Sequence, residues 1–328
     1  MVATRLSVYL RIMLTLDGIN AARDGLRSQL HETPLLSSRT ISKVVGAACY
    51  LKCENVQKTG SFKPRGALNL MSQLSDADRG RGVVTISAGN HAQAVAWAAA
   101  RAGISATVVM PANASQTKAD AAREYGAEVI LHGTVHEAFA KARELEAGGL
   151  TFVHPFDDER TVQGTASAGL EILEQHPNTT VIVVPIGGGG LISGIAIAAK
   201  LVKPSVRVFG VEPVGAAAMR KSLDTGVAAH LDSVETIADG LAPPMAGEVN
   251  YAIVRDCVED VVTVTDDEIV AAMRVIIERA KQWVEPSGAA GVAALLEGRI
   301  PVHNGDEVVT VLSGGNIAVK QAAALLET

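Results

Sequence analysis

Apolar positions along the chain follow two alternating periods. Short β-branched runs such as Val181-Ile182-Val183-Val184 are apolar at every position, the mark of strands buried on both faces of a parallel sheet covered by helices. Strands are predicted at 48–54, 82–87, 106–110, 128–132, 151–154, 180–186, 207–212, 261–264 and 307–312. Between them the pattern changes to a 3.6-residue period, predicting helices at 16–30, 64–74, 91–102, 115–125, 135–147, 191–202 and 266–281. The last opens on Thr265-Asp266-Asp267-Glu268, the spacing of a capping box. Regular alternation of this kind predicts an α/β fold with doubly wound parallel sheets. Residues 81–155 form a βα unit of their own, expected as a small domain inserted between two parts of a large one, 1–80 and 156–328.

Composition narrows this picture. A chain of 328 residues with 31 glycines and 20% charged residues suits a globular α/β enzyme. Aromatics are only 3%, so Ala, Val, Ile and Leu must fill the core. A net charge of −6 without any basic run argues against nucleic acid or a membrane surface as partner. Cys49, Cys53 and Cys257 form neither a metal-binding pattern nor a disulfide framework, which fits a reducing, cytoplasmic setting. Residues 1–15 carry a short apolar patch broken by Arg11, unlike a signal peptide or a membrane span. They are expected as a flexible extension, or as a start upstream of the alternative Met13.

Candidate chemistry sits where strands pass into helices. Lys63, in Ser61-Phe62-Lys63-Pro64-Arg65-Gly66-Ala67, precedes a proline suited to a helix start. Proline also disfavours the α region for the residue before it, so Lys63 is expected just outside the helix, with its ammonium discouraged by the positive end of the dipole. A lysine that sheds its proton readily can form an imine, because only the neutral amine attacks a carbonyl. Taken alone it reads as a solvated lysine. Gly187-Gly188-Gly189-Gly190-Leu191 follows the strongest strand and opens a helix, an amide cradle for a phosphate. It lacks the lysine of a Walker A loop and the glycine spacing of a dinucleotide fingerprint, so a single phosphate on a smaller cofactor fits better. Ser87-Ala88-Gly89-Asn90-His91 is a second such junction, suited to a carboxylate. Ser313-Gly314-Gly315-Asn316 ends the last strand with a hydroxyl.

A lysine, a phosphate cradle, an anion-binding turn and a strand-end hydroxyl are the parts of a pyridoxal phosphate site. With Lys58-Thr59-Gly60 before Lys63, and with Gln93 and Glu285-Pro286-Ser287-Gly288-Ala289, they make the chain resemble fold-type II pyridoxal-phosphate enzymes of the threonine/serine dehydratase group, along nearly all its length after about residue 16. The resemblance implies a fold like that of the tryptophan synthase β chain, with two doubly wound lobes and pyridoxal 5'-phosphate between them. It implies that Lys63 carries the cofactor through an imine and then acts as base on the substrate Cα, and that Phe62 packs on the ring. Asn90 is expected at the ring 3-hydroxyl, Gly187, Gly188, Gly189, Gly190 and Leu191 at the phosphate, Gly240 along the cofactor and Ser313 at the pyridine nitrogen. Ser87, Ala88, Gly89, Asn90 and His91 are expected to take the substrate carboxylate. The implied activity is β-elimination, converting L-threonine to 2-oxobutyrate and L-serine to pyruvate with release of ammonia. A homodimer or homotetramer is the expected assembly.

Serine racemases of this group place a serine where Ala88 stands, as the second acid/base that racemisation needs. A methyl group cannot shuttle a proton, so a dehydratase is expected, with a 3-hydroxyaspartate dehydratase or a racemase-like enzyme as the alternatives. The racemases also bind a divalent metal, for which Glu212 and the Ala216 carbonyl are weak candidates; Ala218 stands at the third ligand position. The chain stops after the catalytic fold, so a C-terminal regulatory domain is not expected.

Overall fold

The computed structural model describes residues 14–327, so most of the expected extension lies outside the described residues. Leu14 is buried in the core, and the Thr15 hydroxyl accepts from the Gly18 amide to cap the first helix, α1 (Leu16–Leu26). Next come β1 (Leu35–Ser37), α2 (Arg39–Val45), β2 (Ala48–Lys52), α3 (Lys63–Ser72) and α4 (Asp76–Arg81). Strict alternation then gives β3 (Val83–Ile86), α5 (Asn90–Ala102), β4 (Ala106–Met110), α6 (Gln116–Glu124), β5 (Glu128–Leu131), α7 (Val135–Ala147) and β6 (Thr151–Phe152). After them run α8 (Glu159–Gln175), β7 (Val181–Pro185), α9 (Gly190–Val202), β8 (Arg207–Pro213), α10 (Ala218–Thr225) and α11 (Glu248–Cys257). The chain closes with β9 (Asp260–Val264), α12 (Asp266–Val275), α13 (Pro286–Leu296), β10 (Glu307–Val311) and α14 (Val319–Glu327).

Two sheets result. The larger has the order β1-β2-β10-β7-β8-β9 and is parallel except at its edge, where β1 pairs antiparallel with β2. The smaller, β5-β4-β3-β6, is parallel throughout. Every residue of β7 is buried, as its unbroken apolar run requires. The strands predicted from the sequence are all present, with ends that differ by at most two residues. The helix predicted at 266–281 keeps its capping box but gives way after Val275 to a π turn that ends on Lys281 at φ 58°. Helix α3 packs from Ala67 to Met71, with Leu74 just beyond its end, in one core with β3, β4 and α5.

Helix α8, absent from the sequence reading, is buried from Thr161 to Leu173 and packs between α3 and α9. A side chain at Gly164 would collide with the Arg65 carbonyl, and one at Gly194 of α9 with the Thr165 hydroxyl, so both crossings bring backbone onto backbone. A buried ion cluster pins the first of these crossings. The Arg65 guanidinium meets Glu54 at 2.7 and 2.8 Å and Glu171 at 2.7 and 2.8 Å, while Lys52 Nζ adds a 2.7 Å bond to Glu171. Arginine and lysine against two carboxylates leave the cluster locally neutral. Fork-shaped donation satisfies the oxygens that burial would otherwise strand. The cluster therefore clamps α3, and with it Lys63, to β2 and α8.

Candidate active site

Lys63 is the first residue of α3, one residue earlier than expected. Phe62 is already right-handed helical (φ −62°, ψ −18°), so Pro64 takes the second helical position, where its missing amide hydrogen still deprives nothing. The helix start is stitched to the end of β10: the Phe62 amide donates to the Ser313 carbonyl at 3.1 Å, and Ser61 bridges Gly314. Lys63 Nζ donates to the Pro155 carbonyl at 2.8 Å and lies 5.0 Å from the Phe62 ring centroid. Among the described residues no carboxylate forms an ion pair with it. Burial lowers its pKa from 10.5 to about 8.

At the glycine loop, Gly189 takes φ +100° and no side chain caps α9, so the helix begins with its amides uncovered by side-chain oxygens. A side chain on Gly188 would enter the Phe156 ring. Asn250 Nδ2 holds the loop from the other side, donating to the Gly188 carbonyl at 2.9 Å and to the Phe156 carbonyl at 3.1 Å. The side chain of Leu191 belongs to the core, which leaves only its backbone for a ligand. Gly187 backs onto Gly240, whose carbonyl would lie 2.9 Å from an added Cβ. The Gly240 amide in turn donates to the Ser287 hydroxyl at 2.9 Å, and the Ser313 hydroxyl reaches the Ser287 carbonyl at 3.4 Å.

The start of α5 makes the third side of the site. The Ser87 hydroxyl accepts from the Gly89 amide at 3.1 Å, ordering the turn around Ala88. His91 is buried, with Nε2 3.2 Å from the Val153 carbonyl. That acceptor places its one proton on Nε2, while burial and the nearby Lys63 ammonium push its pKa down to about 3. Asn90 donates from Nδ2 to Glu285 Oε1 at 2.6 Å and accepts on Oδ1 from Asn316 Nδ2 at 2.8 Å.

The segment from His154 to Asp157, to which the sequence reading gave no role, joins these parts. His154 Nδ1 accepts from the amides of Phe156 at 3.3 Å and Asp157 at 2.8 Å, and the turn so formed aims the Pro155 carbonyl at Lys63. Asp157 caps α11 by accepting from the amides of Glu248 and Val249 at 3.1 and 3.0 Å. No local spacing signals that cap, because its donors lie about ninety residues away.

Glu212 spends both carboxylate oxygens on the amides of Met219 and Arg220, each at 2.8 Å, capping α10. Ala216 lies in the short turn before that helix. Among the described residues, His, Cys, Asp and Glu side chains form no group of three or more that could hold a metal ion.

Uncapped helix amides, a half-buried amine with no carboxylate partner and a strand-end hydroxyl suit a group that carries a phosphate, an aldehyde and a ring nitrogen; pyridoxal phosphate has all three. Comparison with known proteins agrees. The pattern of the pyridoxal-phosphate dependent enzyme family matches residues 26–314. The chain is 45% identical to an L-threonine ammonia-lyase of Thermotoga maritima over 94% of this chain and 77% of that protein. It is 41% identical to a serine racemase of Oryza sativa subsp. indica, covering 92% of this chain and 91% of that one. The solved structure of maize serine racemase superposes with a TM-score of 0.90 at 38% identity, over 95% of this chain and 97% of that one.

Proposed function

Because the chain belongs to the pyridoxal-phosphate dependent enzyme family, we propose that it is an ammonia-lyase converting L-threonine to 2-oxobutyrate and L-serine to pyruvate. The substrate loses water across Cα and Cβ, and the same water returns as ammonia leaves, so each amino acid yields one oxo acid and one ammonia. Lys63 would hold the cofactor until the substrate amine takes its place, which frees the lysine amine; when bound, the cofactor would supply the electron sink for the pair left at Cα.

The protein's own residues do the rest. Lys63, whose pKa burial lowers to about 8, is the base that takes the Cα proton. The amides at the start of α9, from Gly187 to Leu191, hold the phosphate, and the turn from Ser87 to His91 orients the substrate carboxylate. Asn90 meets the ring 3-oxygen. Ser313 faces the ring nitrogen, where a neutral hydroxyl does not enforce protonation; that favours expelling a β-leaving group as the proton departs over building a long-lived carbanion. Assembly into a homodimer or homotetramer in the cytoplasm completes the proposal. No helix among the described residues is long and apolar enough to cross a membrane.

Ala88 carries the lyase reading over the racemase one. Racemisation needs a second group that returns a proton to the face away from the lysine. The turn offers a methyl group at Ala88, and His91 keeps its only proton on the Val153 carbonyl. The test is to mix purified holoenzyme with L-threonine, L-serine and threo-3-hydroxyaspartate in turn, following 2-oxo acid release, visible absorbance and D-serine formation. Oxo acid from threonine or serine, abolished in Lys63→Ala, supports the lyase. A coloured protein that releases none, or one that makes D-serine faster than pyruvate, refutes it.

A further inference from the structure

We propose that Glu285 is a positioning residue of this site: it fixes which end of the Asn90 carboxamide faces the cofactor, so that Asn90 presents a hydrogen-bond donor there. The proposal rests on the reading of Lys63 as the cofactor's anchor and Asn90 as its ring-oxygen partner.

The two ends of a carboxamide differ only in whether they donate or accept, so an asparagine side chain is orientated by its partners and not by its shape. Asn90 has two partners of opposite character. Its Nδ2 donates to Glu285 Oε1 at 2.6 Å, and its Oδ1 accepts from Asn316 Nδ2 at 2.8 Å. Asn316 cannot reverse its part, because the same Nδ2 also donates to the Thr59 carbonyl at 2.7 Å. Flipping Asn90 would set oxygen against oxygen at Glu285 and donor against donor at Asn316. What remains free on Asn90 Nδ2 is one N–H, the group a ring oxygen needs.

Glu285 is itself held in place. It is 8% exposed and stands at the N-terminal boundary of α13, ahead of Pro286, with no side-chain capping bond, and its amide donates to the Gly314 carbonyl at 3.2 Å. A side chain at Gly314 would collide with Glu285 Oε1 and lie 3.1 Å from Asn90 Nδ2, so glycine there is what lets the acid reach Asn90. Burying a carboxyl group is costly, and an apolar residue at this helix start would avoid that cost. Burial pushes the Glu285 pKa up to about 7, with Asn90 and the Lys118 ammonium opposing the rise and Asp239 adding to it. Lys118 and Asp239 pair at 2.9 Å and so offset one another. Above neutral pH the ionised acid grips the Asn90 N–H more strongly than the neutral one does.

The test is a double-mutant cycle read by titrating cofactor-free protein with pyridoxal phosphate and following visible absorbance. Glu285→Ala and Asn90→Ala should each weaken binding by about tenfold or more, and the double variant by no more than Asn90→Ala alone. Glu285→Gln, whose amide oxygen still accepts, should keep the affinity within about threefold but lose the step in affinity near pH 7 that the wild type shows in addition to the one Lys63 imposes near 8. Single losses that multiply in the double variant, or wild-type affinity in Glu285→Ala, overturn the proposal. If Glu285→Ala does not fold, the Gln variant decides: loss of the step near pH 7 supports it, and a step near 7 kept in the variant, or absent from the wild type, overturns it. No substrate is involved, so a coupled cycle in a protein that releases no oxo acid sinks the lyase reading alone, and multiplying losses in an active lyase sink this one alone.

Discussion

Replacing Lys63 by methionine should stabilise the cofactor-free protein below neutral pH while abolishing its chemistry. The folded state lowers the lysine pKa from 10.5 to about 8, through burial. At roughly 1.4 kcal/mol per pH unit, holding the ammonium charged in the fold therefore costs about 3 kcal/mol. Lys63 is only partly buried, so solvent screening trims this to about 2 kcal/mol. Methionine fills a similar volume, but it gives up the 2.8 Å bond to the Pro155 carbonyl, a loss of about 1 kcal/mol. The net expectation is a gain of about 1 kcal/mol near pH 6. The sign reverses at high pH. Unfolded lysine keeps its proton to about 10.5 whereas the folded one releases it near 8, so wild-type stability rises across that window and the variant's advantage disappears. Urea denaturation of both cofactor-free proteins from about pH 6 to about pH 10.5, compared by midpoint at constant slope, measures it. A Lys63→Met protein that is less stable at about pH 6, or a difference that does not change with pH, refutes the argument.

Other consequences are as direct. Gly188→Ala forces a methyl group into the Phe156 ring, which should cost about 1–3 kcal/mol and weaken pyridoxal phosphate binding; adding Phe156→Leu should restore part of both, read by thermal melts and absorbance titration. Arg65→Met strands Glu54 as a buried carboxylate and leaves Glu171 with Lys52 alone, and should cost about 3–5 kcal/mol by denaturant melt. A loss below about 1 kcal/mol would show that the cluster does not hold α3. Burial raises the Glu212 pKa from 4.5 to about 8 against the pull of the amides it caps. Its contribution to stability is therefore full below about pH 4.5 and lost as pH climbs through about 8, a slope that Glu212→Gln should remove from melting temperature against pH.

The parts of this fold legible in the sequence are those whose signal is local. β7 reads as a strand because each of its residues is buried, and the α9 start reads as a cradle because glycines follow it directly. α8 escaped notice for the opposite reason. Its apolar positions Val162, Ala166, Leu170 and Leu173 are interspersed with small and polar residues that are buried as well, and Gly164 and Gly169, unfavourable in an isolated helix, sit where neighbouring helices come closest. β1 has only three residues and no buried face, so no period could reveal it. In the site the same division holds. Lys63, the glycine loop and the Ser87 turn announce themselves by type and spacing. Phe156 and Asn250 act through shape and through single bonds to backbone carbonyls, and nothing in their neighbours' identities encodes that.

What makes Lys63 a usable amine is how charge is distributed around it. Depressing a lysine pKa takes burial together with the absence of a carboxylate partner, yet this chain buries acids close to α3. Glu54 and Glu171 lie beneath α3, where the Arg65 fork and Lys52 consume them completely. Glu285 spends its oxygen on Asn90 instead of on the amine. Burial lowers the pKa values of His91 and His154, helped by the Lys63 charge at His91 and by the Arg143 charge ahead of Lys63 at His154, so neither imidazole readily takes up a proton beside the amine. Each acid is thus tied to a donor other than the lysine, and only the Pro155 carbonyl, which is neutral, is left to receive the amine. Arg65, just two residues after Lys63, therefore serves the lysine electrostatically as well as by anchoring its helix: without it, Glu54 would have no cation bonded to it and Glu171 would keep Lys52 alone, and the excess negative charge beneath α3 would draw the ammonium form back toward stability.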